Sequence, residues 1–192
     1  IEMQSDPDQF GRINLFSLVA YIPDPLGGFL DRVRQELVPS CRLRAHVTVL
    51  PPRPISGSIE DAAAQLRNQL AEAEPFSVHA AEVDMFSLTS VVYVALGDGL
   101  AKMRRLHDFL NTGALKFCEP YPYHPHLTLA QQLTPEQVSG VYETARIRWA
   151  AFPFDRSFPV ETLTFVQGTV AGTWIDLTEC QIGQPAHVMG PA

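Results

Sequence analysis

Two short segments of the chain repeat the pattern His-apolar-Thr-apolar: HVTV at residues 46–49 and HLTL at residues 126–129. Successive side chains of a β-strand point to opposite faces, so the histidine and threonine of each segment share one face. A hydrophobic core explains the apolar face. It does not explain the polar face, because histidine and threonine are not preferred in an apolar interior. We therefore expect two strands whose His and Thr side chains line a cleft.

The segments around the two motifs follow the same order in each half of the chain: strand, helix, HxT strand, helix, strand. The N-caps predicted before the motifs, Asp24 and Asp98, are 74 residues apart, and those predicted after them, Ser58 and Thr134, are 76 apart. The motif histidines are 80 residues apart, from 46 to 126. The other predicted strands span residues 13–22, 76–86, 90–97, 160–167 and 173–180, and the predicted helices extend from these caps to about residues 38, 74, 113 and 145.

This duplicated layout predicts an α+β fold of two lobes related by a pseudo-two-fold axis. Each lobe is expected to be a small sheet with helices outside it, and the active cleft is expected between the lobes. The lobe repeats are predicted at about residues 13–87 and 90–167. Residues 1–180 then form a single bilobal domain, and residues 181–192 form an unpacked C-terminal tail.

The composition is that of a globular chain that can bury a core, with 46% hydrophobic and 18% charged residues. No apolar run approaches the roughly 20 residues that span a bilayer. The first residues, IEMQSDPDQFGR, lack the layout of a signal peptide, so we expect a cytoplasmic protein with no membrane partner. The three cysteines are far apart in sequence, which favours free thiols over a disulfide framework or a structural zinc site.

The net charge of −7 argues against a protein that binds long nucleic acid, because such binding depends on Lys and Arg contacts to phosphates. A small nucleotide or a short RNA end is the expected partner of what we predict to be a monomer. Arg42, Arg44 and Arg53 flank the first motif, which is compatible with a site for a small anion.

Two histidines and two hydroxyls that face each other suit the cleavage of a phosphodiester. One imidazole can accept a proton while the other, charged, donates one to the leaving oxygen. The hydroxyls of Thr48 and Thr128 can hold the non-bridging phosphate oxygens, and no metal or other cofactor is required. The alternative is a metal site with His124 as third ligand beside His46 and His126, but two neutral hydroxyls do not complete a usual catalytic zinc site.

On these residues the chain resembles the 2H phosphoesterases, which include 2′-5′ RNA ligases and cyclic nucleotide phosphodiesterases. The resemblance rests on HVTV, HLTL and the duplicated layout across residues 13–180. It implies metal-independent hydrolysis or formation of phosphodiesters at ribose 2′ positions, often from 2′,3′-cyclic phosphates. It also implies that His46 and His126 are the catalytic acid-base pair and that Thr48 and Thr128 bind the substrate phosphate.

The chain departs from this pattern after the second motif, where many ligase-like members carry a basic residue and this chain has Ala130-Gln131-Gln132. Arg53, on the proline-rich segment after the first motif, is a candidate replacement that would clamp the substrate phosphate. A solvated loop charge is the alternative. Tyr123 is a candidate for stacking on a nucleobase, with a packing role as the alternative.

Two further functions fit the same sequence. One is a nucleotide-binding sensor that keeps the cleft without turning the ligand over, and the other is a structural domain with an empty cleft. Which histidine is the acid and which is the base depends on the neighbours of each ring, so the sequence leaves that assignment open.

Overall fold

The computed structural model describes residues 11–183, which form eight strands and four α-helices. Within this range, none of the helices combines the length and the apolar composition that a membrane span requires. A 3-10 turn, Gly113–Leu115, follows the third helix. The elements in chain order are β1 (Arg12–Tyr21), α1 (Leu26–Leu37), β2 (His46–Arg53), α2 (Ile59–Ala71), β3 (Phe76–Phe86), β4 (Val91–Leu96), α3 (Leu100–Leu110), β5 (His126–Ala130), α4 (Pro135–Ala150), β6 (Ser157–Val160), β7 (Thr162–Thr169) and β8 (Trp174–Gln181).

The strands form two four-stranded antiparallel sheets, in the orders β2-β1-β7-β8 and β5-β4-β3-β6. This confirms the predicted α+β fold with two small sheets. The sheets do not, however, coincide with the contiguous halves predicted at about 13–87 and 90–167. The last strand of each half joins the sheet of the other half, because β3 pairs with β4 and β7 pairs with β1.

A short turn explains why β3 leaves the first half. Only residues 87–90 separate β3 from β4, and the Ser90 N–H donates to the Phe86 carbonyl at 2.9 Å. Strands joined by so short a turn pair with each other as a hairpin. The free side of β1 is covered instead by β7, where Phe165 opposes Leu18.

The helices also cross between the halves. α1 contacts β5 and α4, α3 contacts β2, α2 contacts β8, and α4 contacts β3 and β4. Buried apolar side chains of both sheets belong to one continuous cluster, which includes Leu18, Val47, Val94 and Leu127. Each such side chain contributes about 1.5–3 kcal/mol when it is fully buried, so the shared core holds the two sheets together.

The two N-caps predicted after the motifs are confirmed. The Ser58 hydroxyl accepts a hydrogen bond from the Asp61 N–H at 3.0 Å at the start of α2. Thr134 forms a capping box with Gln137 at the start of α4, with a distance of 3.0 Å from the Thr134 N–H to the Gln137 side-chain oxygen. These bonds satisfy backbone N–H groups that a helix start otherwise leaves free.

The two N-caps predicted before the motifs differ from the structure. α1 begins at Leu26, but the Asp24 carboxylate still accepts from the Gly28 N–H of its first turn at 2.8 Å. At the start of α3 the N-cap is Gly99, with φ of 92°, instead of Asp98. A Cβ at this position would lie 2.5 Å from the Ser77 carbonyl oxygen, so only glycine fits.

The last quarter of the chain contains two further differences. Strand β6 was not predicted, because its four residues include a proline; it lies at the sheet edge beside β3, where proline is tolerated. The tail predicted from residue 181 begins later, because Gln181 belongs to β8 and the Ile182 side chain is buried. The rest of that predicted tail, residues 184–192, lies outside the described residues.

The exchange of strands predicts that neither half folds by itself. When the chain is divided in the β3–β4 turn, fragments 1–88 and 89–192 each lose the strand that covers their first strand. We expect neither fragment alone to show a cooperative thermal transition in far-ultraviolet circular dichroism, and an equimolar mixture to recover the transition of the intact chain. A cooperative transition in the isolated 1–88 fragment would contradict the strand exchange.

Candidate active site

The two HxT strands lie side by side. β2 is the terminal strand of the first sheet, β5 is the terminal strand of the second, and the two are in contact. On β2, Val47 and Val49 are fully buried, whereas Thr48 on the other face is partly exposed. β5 shows the same alternation, with its leucines buried and with His126 and Thr128 partly exposed. The strands therefore bring their His and Thr faces to the junction of the sheets.

The two motif histidines have the same hydrogen-bond geometry. Nδ1 of His46 lies 2.6 Å from the Arg44 carbonyl oxygen, and Nδ1 of His126 lies 2.6 Å from the His124 carbonyl oxygen. A carbonyl can only accept, so Nδ1 carries the proton in each ring and Nε2 of the neutral ring keeps its lone pair. Neither Nε2 has a hydrogen-bond partner within residues 11–183. Each ring is thus oriented with one nitrogen free for proton transfer.

Both motif histidines are held in their neutral form. The pKa of His46 is lowered to about 3, mainly by burial and next by the positive charge of Arg34, while its bond to the Arg44 carbonyl acts in the opposite direction. His126 is one of the charges that lower the pKa of His46, so the two rings interact. The pKa of His126 is also lowered, chiefly by burial. At pH 7 the free protein therefore presents two unprotonated Nε2 atoms.

Aromatic side chains hold the two imidazole rings in place. The His46 ring packs edge-on against Trp174 of β8, with ring centroids 4.5 Å apart. The His126 ring packs against Phe86 at 5.0 Å and against Tyr93 at 5.1 Å. No sequence pattern indicated the role of Trp174, because only the pairing of β8 into the first sheet brings it beside β2.

The carbonyl groups of both motif threonines accept hydrogen bonds from the opposite half of the chain. The Tyr123 hydroxyl donates to the Thr48 carbonyl at 2.8 Å, and Nη1 of Arg34 donates to the Thr128 carbonyl at 2.5 Å. These bonds position the backbone behind the two hydroxyls. Arg34 was not predicted, although it follows Leu30 by four residues on the buried stripe of α1 and is itself 4% exposed.

Arg53 is not a phosphate clamp. Its side chain is fully buried, and its Nε donates to the Pro51 carbonyl at 2.9 Å. Nη1 donates to Asn111 at 2.7 Å and to the Leu115 carbonyl at 3.0 Å, and Nη2 forms an ion pair with Glu119. Because every nitrogen is engaged and the charge is neutralised, Arg53 holds β2 against the segment that follows α3. The alternative of a solvated loop charge is wrong for the same reason.

Tyr123 has a packing role in the structure. One face of its ring stacks on His107 of α3, with ring centroids 3.9 Å apart and planes inclined by 7°. His107 Nε2 lies 2.8 Å from the Glu119 carboxylate. The Tyr123 hydroxyl is occupied by the Thr48 carbonyl, and burial raises its pKa. We conclude that this tyrosine positions the first motif strand.

The other two arginines that flank the first motif are exposed. The Arg44 guanidinium lies over the Tyr21 ring, 4.0 Å from its centroid. Tyr21 opposes His46 in the β1–β2 register, and its hydroxyl donates to Asp176 at 2.7 Å. Arg44 therefore provides a cation at the rim of the site.

The metal alternative finds no group of ligands. Within the described part of the chain, no three His, Cys, Asp or Glu side chains lie close enough together to hold a metal ion. The exposed ring of His124 is centred 6.2 Å from that of His126 and packs edge-on against Phe86. His124 thus belongs to the rim beside the second motif.

An open groove of about 590 Å³ lies elsewhere, between β3 and α4. Its walls include Glu82, Tyr142, Arg146 and Trp149, and no motif residue lines it. The site is therefore identified by the chemistry of the two HxT strands.

The hydrogen bond from Tyr123 can be tested by one substitution. Tyr123→Phe leaves the Thr48 carbonyl without a partner, so we expect the free energy of unfolding to fall by about 1 to 2 kcal/mol. Urea denaturation provides the measurement. Tyr121→Phe is the matched control, because Tyr121 is 67% exposed, and we expect it to leave stability unchanged. Equal effects of the two changes would contradict the positioning role.

Burial of His46 predicts a dependence of stability on pH. Its pKa falls from 6.5 to about 3 on folding, so below pH 6.5 the unfolded chain binds a proton that the folded chain does not. Stability is therefore lost as the pH falls, at up to about 1.4 kcal/mol per pH unit from this group. Between pH 6.5 and 4.5 we expect wild type to lose about 2 kcal/mol more than His46→Asn in urea denaturation. Parallel curves for the two proteins would contradict the shift.

The sequence matches the model of the 2′-5′ RNA ligase superfamily over residues 22–171. A curated relative, a candidate phosphoesterase of Bacillus licheniformis, is 25% identical over 107 residues. That match covers 55% of this chain and 63% of the relative, so the chain spans less than two thirds of the relative's length.

Solved structures share the fold at low sequence identity. E. coli LigT complexed with 3′-AMP has a TM-score of 0.57 and 17% identity, and the match covers 91% of this chain and 99% of LigT. A protein of Thermus thermophilus has a TM-score of 0.58 and 15% identity, with 89% of this chain and all of that chain covered. The family model, the fold and the paired HxT motifs agree, and the chain belongs to the 2′-5′ RNA ligase superfamily of 2H phosphoesterases.

Proposed function

We propose that this protein is a phosphodiesterase that acts on 2′,3′-cyclic phosphates or 2′-5′ linked phosphodiesters of small nucleotides or RNA ends. One observation carries the proposal: two histidines on neighbouring edge strands share the same Nδ1-to-carbonyl bond, which leaves both Nε2 atoms free. This is the arrangement that a pair of proton-transfer groups requires.

In the proposed reaction, one Nε2 accepts a proton from water while the water oxygen bonds to phosphorus. The bond from phosphorus to a ribose oxygen breaks, and the protonated Nε2 of the other histidine donates its proton to that oxygen. The hydroxyls of Thr48 and Thr128 donate hydrogen bonds to the non-bridging oxygens, where negative charge accumulates. The same groups can run the reverse step, in which a ribose hydroxyl replaces water and a 2′-5′ linkage forms.

Two observations support a small substrate. The net charge of −7 disfavours long nucleic acid, and the exposed cation at the rim of the first motif is Arg44, stacked on Tyr21. LigT, which shares the fold, was crystallised with 3′-AMP. A nucleotide or short RNA end is therefore the proposed partner, and we propose that the protein acts on it as a cytoplasmic monomer.

A nucleotide-binding sensor is the second candidate. It is favoured by the lowered pKa of both His46 and His126, since the ligand-free protein holds no imidazolium that could donate a proton at pH 7. Under the catalytic proposal, the negative phosphate itself must raise one of these pKa values when it binds. Calorimetry with 2′- and 3′-nucleoside monophosphates, run beside a product assay, separates the two candidates: tight binding without turnover identifies the sensor.

The catalytic proposal is tested with a panel of 2′,3′-cyclic nucleotides and 2′-5′ linked dinucleotides, with the products identified as 2′- or 3′-phosphates. We expect His46→Ala and His126→Ala each to lower kcat/KM by about 10²- to 10⁴-fold. His79→Ala, a change at an exposed histidine of β3 that contacts Ser157, is the control and should retain full activity.

The pH profile of the wild-type enzyme provides a second part of this test. The acid histidine of the free enzyme must be protonated, and both pKa values lie below 6.5, so kcat/KM should fall as the pH rises above about 6.5. Wild-type turnover in both motif variants would overturn the proposed function.

A further inference from the structure

Arg34 is a buried cation without an acidic partner. Its side chain lies on the inner face of α1, and the residue is 4% exposed. Nη1 donates to the Thr128 carbonyl, and Nη2 makes a 3.4 Å contact with the Cys41 sulfur. Nε is buried without a hydrogen-bond partner, and no carboxylate of residues 11–183 forms a salt bridge with this guanidinium. An isolated buried charge is costly unless an opposite charge offsets it.

The second half of the chain provides an internal comparison. Arg34 of α1 and His107 of α3 are 73 residues apart, and the same shift superimposes the buried apolar residues of the two helices. The matched buried pairs are Leu30 with Met103 and Val33 with Leu106. Each helix thus places a basic side chain at the same position of its buried stripe.

The two basic side chains also face equivalent targets. Arg34 bonds to the Thr128 carbonyl of the second motif, and His107 stacks on Tyr123, which bonds to the Thr48 carbonyl of the first. The difference between them is the counter-charge. His107 lies 2.8 Å from the Glu119 carboxylate, whereas the described residues offer Arg34 no acid. One positive charge is left over behind the motif strands.

The other arginines near the motifs do not fill this role. Arg53 is neutralised by Glu119, and Arg44 is an exposed side chain stacked on Tyr21. No cation follows the second motif, where the chain has Ala130-Gln131-Gln132. The charge of Arg34 also reaches the first motif, since after burial it is the largest cause that lowers the pKa of His46.

We propose that Arg34 is the electrostatic positioning residue of the site, a buried cation whose missing counter-charge is the phosphate of the substrate. The inference rests on the proposed function for its role in turnover, but binding of an anion tests it independently. Arg34 need not touch the phosphate, because a charge directly behind the Thr128 backbone acts through a poorly screened interior. It stabilises the bound phosphate and the negative charge that accumulates on it in the transition state.

The test uses inorganic phosphate as probe and compares the full-length wild type with Arg34→Lys and Arg34→Gln. Arg34→Lys keeps the charge, and Arg34→Gln removes it while keeping a donor for the Thr128 carbonyl. We expect phosphate to raise the melting temperature of wild type and of Arg34→Lys, and to leave that of Arg34→Gln unchanged. Calorimetry should show phosphate affinity at least about tenfold weaker in Arg34→Gln, as expected for the loss of one partly screened charge. Arg146→Gln, an exposed change on α4, is the matched control and should bind phosphate as wild type does.

Turnover provides a separate readout. With any substrate that wild type cleaves, we expect Arg34→Gln to lower kcat/KM by about 10²-fold, Arg34→Lys to recover most of it, and added guanidinium ion to rescue Arg34→Ala. Wild type that binds phosphate through Arg34 without cleaving any substrate would overturn the proposed enzyme and support the inference about Arg34.

Three results would overturn the inference itself. The first is unchanged phosphate binding in a folded Arg34→Gln protein, and the second is a wild type that binds no phosphate. The third covers a folding defect: if Arg34→Gln is unfolded, Arg34→Met takes its place. Failure of both neutral variants to fold, with Arg34→Lys folded, would assign Arg34 a structural role only.

Discussion

The pairing of β1 with β7 and of β3 with β4 is the constraint on which the rest of this structure depends. Each half of the chain gives its last strand to the other half, so that each sheet contains strands from both. The motif strands β2 and β5 are left as terminal strands, and they meet at the junction of the sheets. An arrangement of two independent lobes joined by a linker would leave the separation of the histidines free to vary. The exchange makes that separation a property of the shared core.

The site uses backbone carbonyl groups to do what other sites assign to carboxylates. Each motif histidine donates its Nδ1–H to the carbonyl two residues before it, which selects the tautomer and leaves Nε2 as the reactive nitrogen. A carbonyl carries no net charge, so it orients the ring with little stabilisation of the imidazolium. Together with burial this keeps the pKa of both rings low in the free protein. A negative ligand is then the natural means of restoring the proton to one of them.

Buried charge is distributed unequally between the two halves. Around the segment after α3, Arg53, Glu119 and His107 form a compact network in which acid and base offset each other. Behind the second motif, Arg34 has only the neutral Thr128 carbonyl and a cysteine sulfur. The first network fits a structural role, because it is complete without a ligand. The second lacks a negative charge, and this asymmetry is what distinguishes two positions that the duplicated fold makes equivalent.

The amino-acid pattern alone was sufficient for the fold class, the duplication, most helix and strand positions and the face of each motif strand. These follow from local rules: the period of apolar residues, the capping residues Ser58 and Thr134, and the alternation of side chains in HVTV and HLTL. The exchange of β3 and β7 was not predictable in this way, because strand pairing is decided between residues far apart in sequence. Gly99 replaced Asp98 as a cap for a similar reason, since only the approach of the Ser77 carbonyl excludes a side chain there.

The site shows the same division. The sequence by itself determined that two histidines and two threonines share the polar faces of two strands, because strand periodicity depends on the local backbone alone. Only the tertiary structure decided which arginine remains without a counter-charge: Arg53, which looked available on a proline-rich segment, is neutralised by Glu119, and Arg34, one residue of a helical stripe, is not neutralised. The physical reason is that the energy of a buried charge depends on its partners in space, and those partners come from distant parts of the chain.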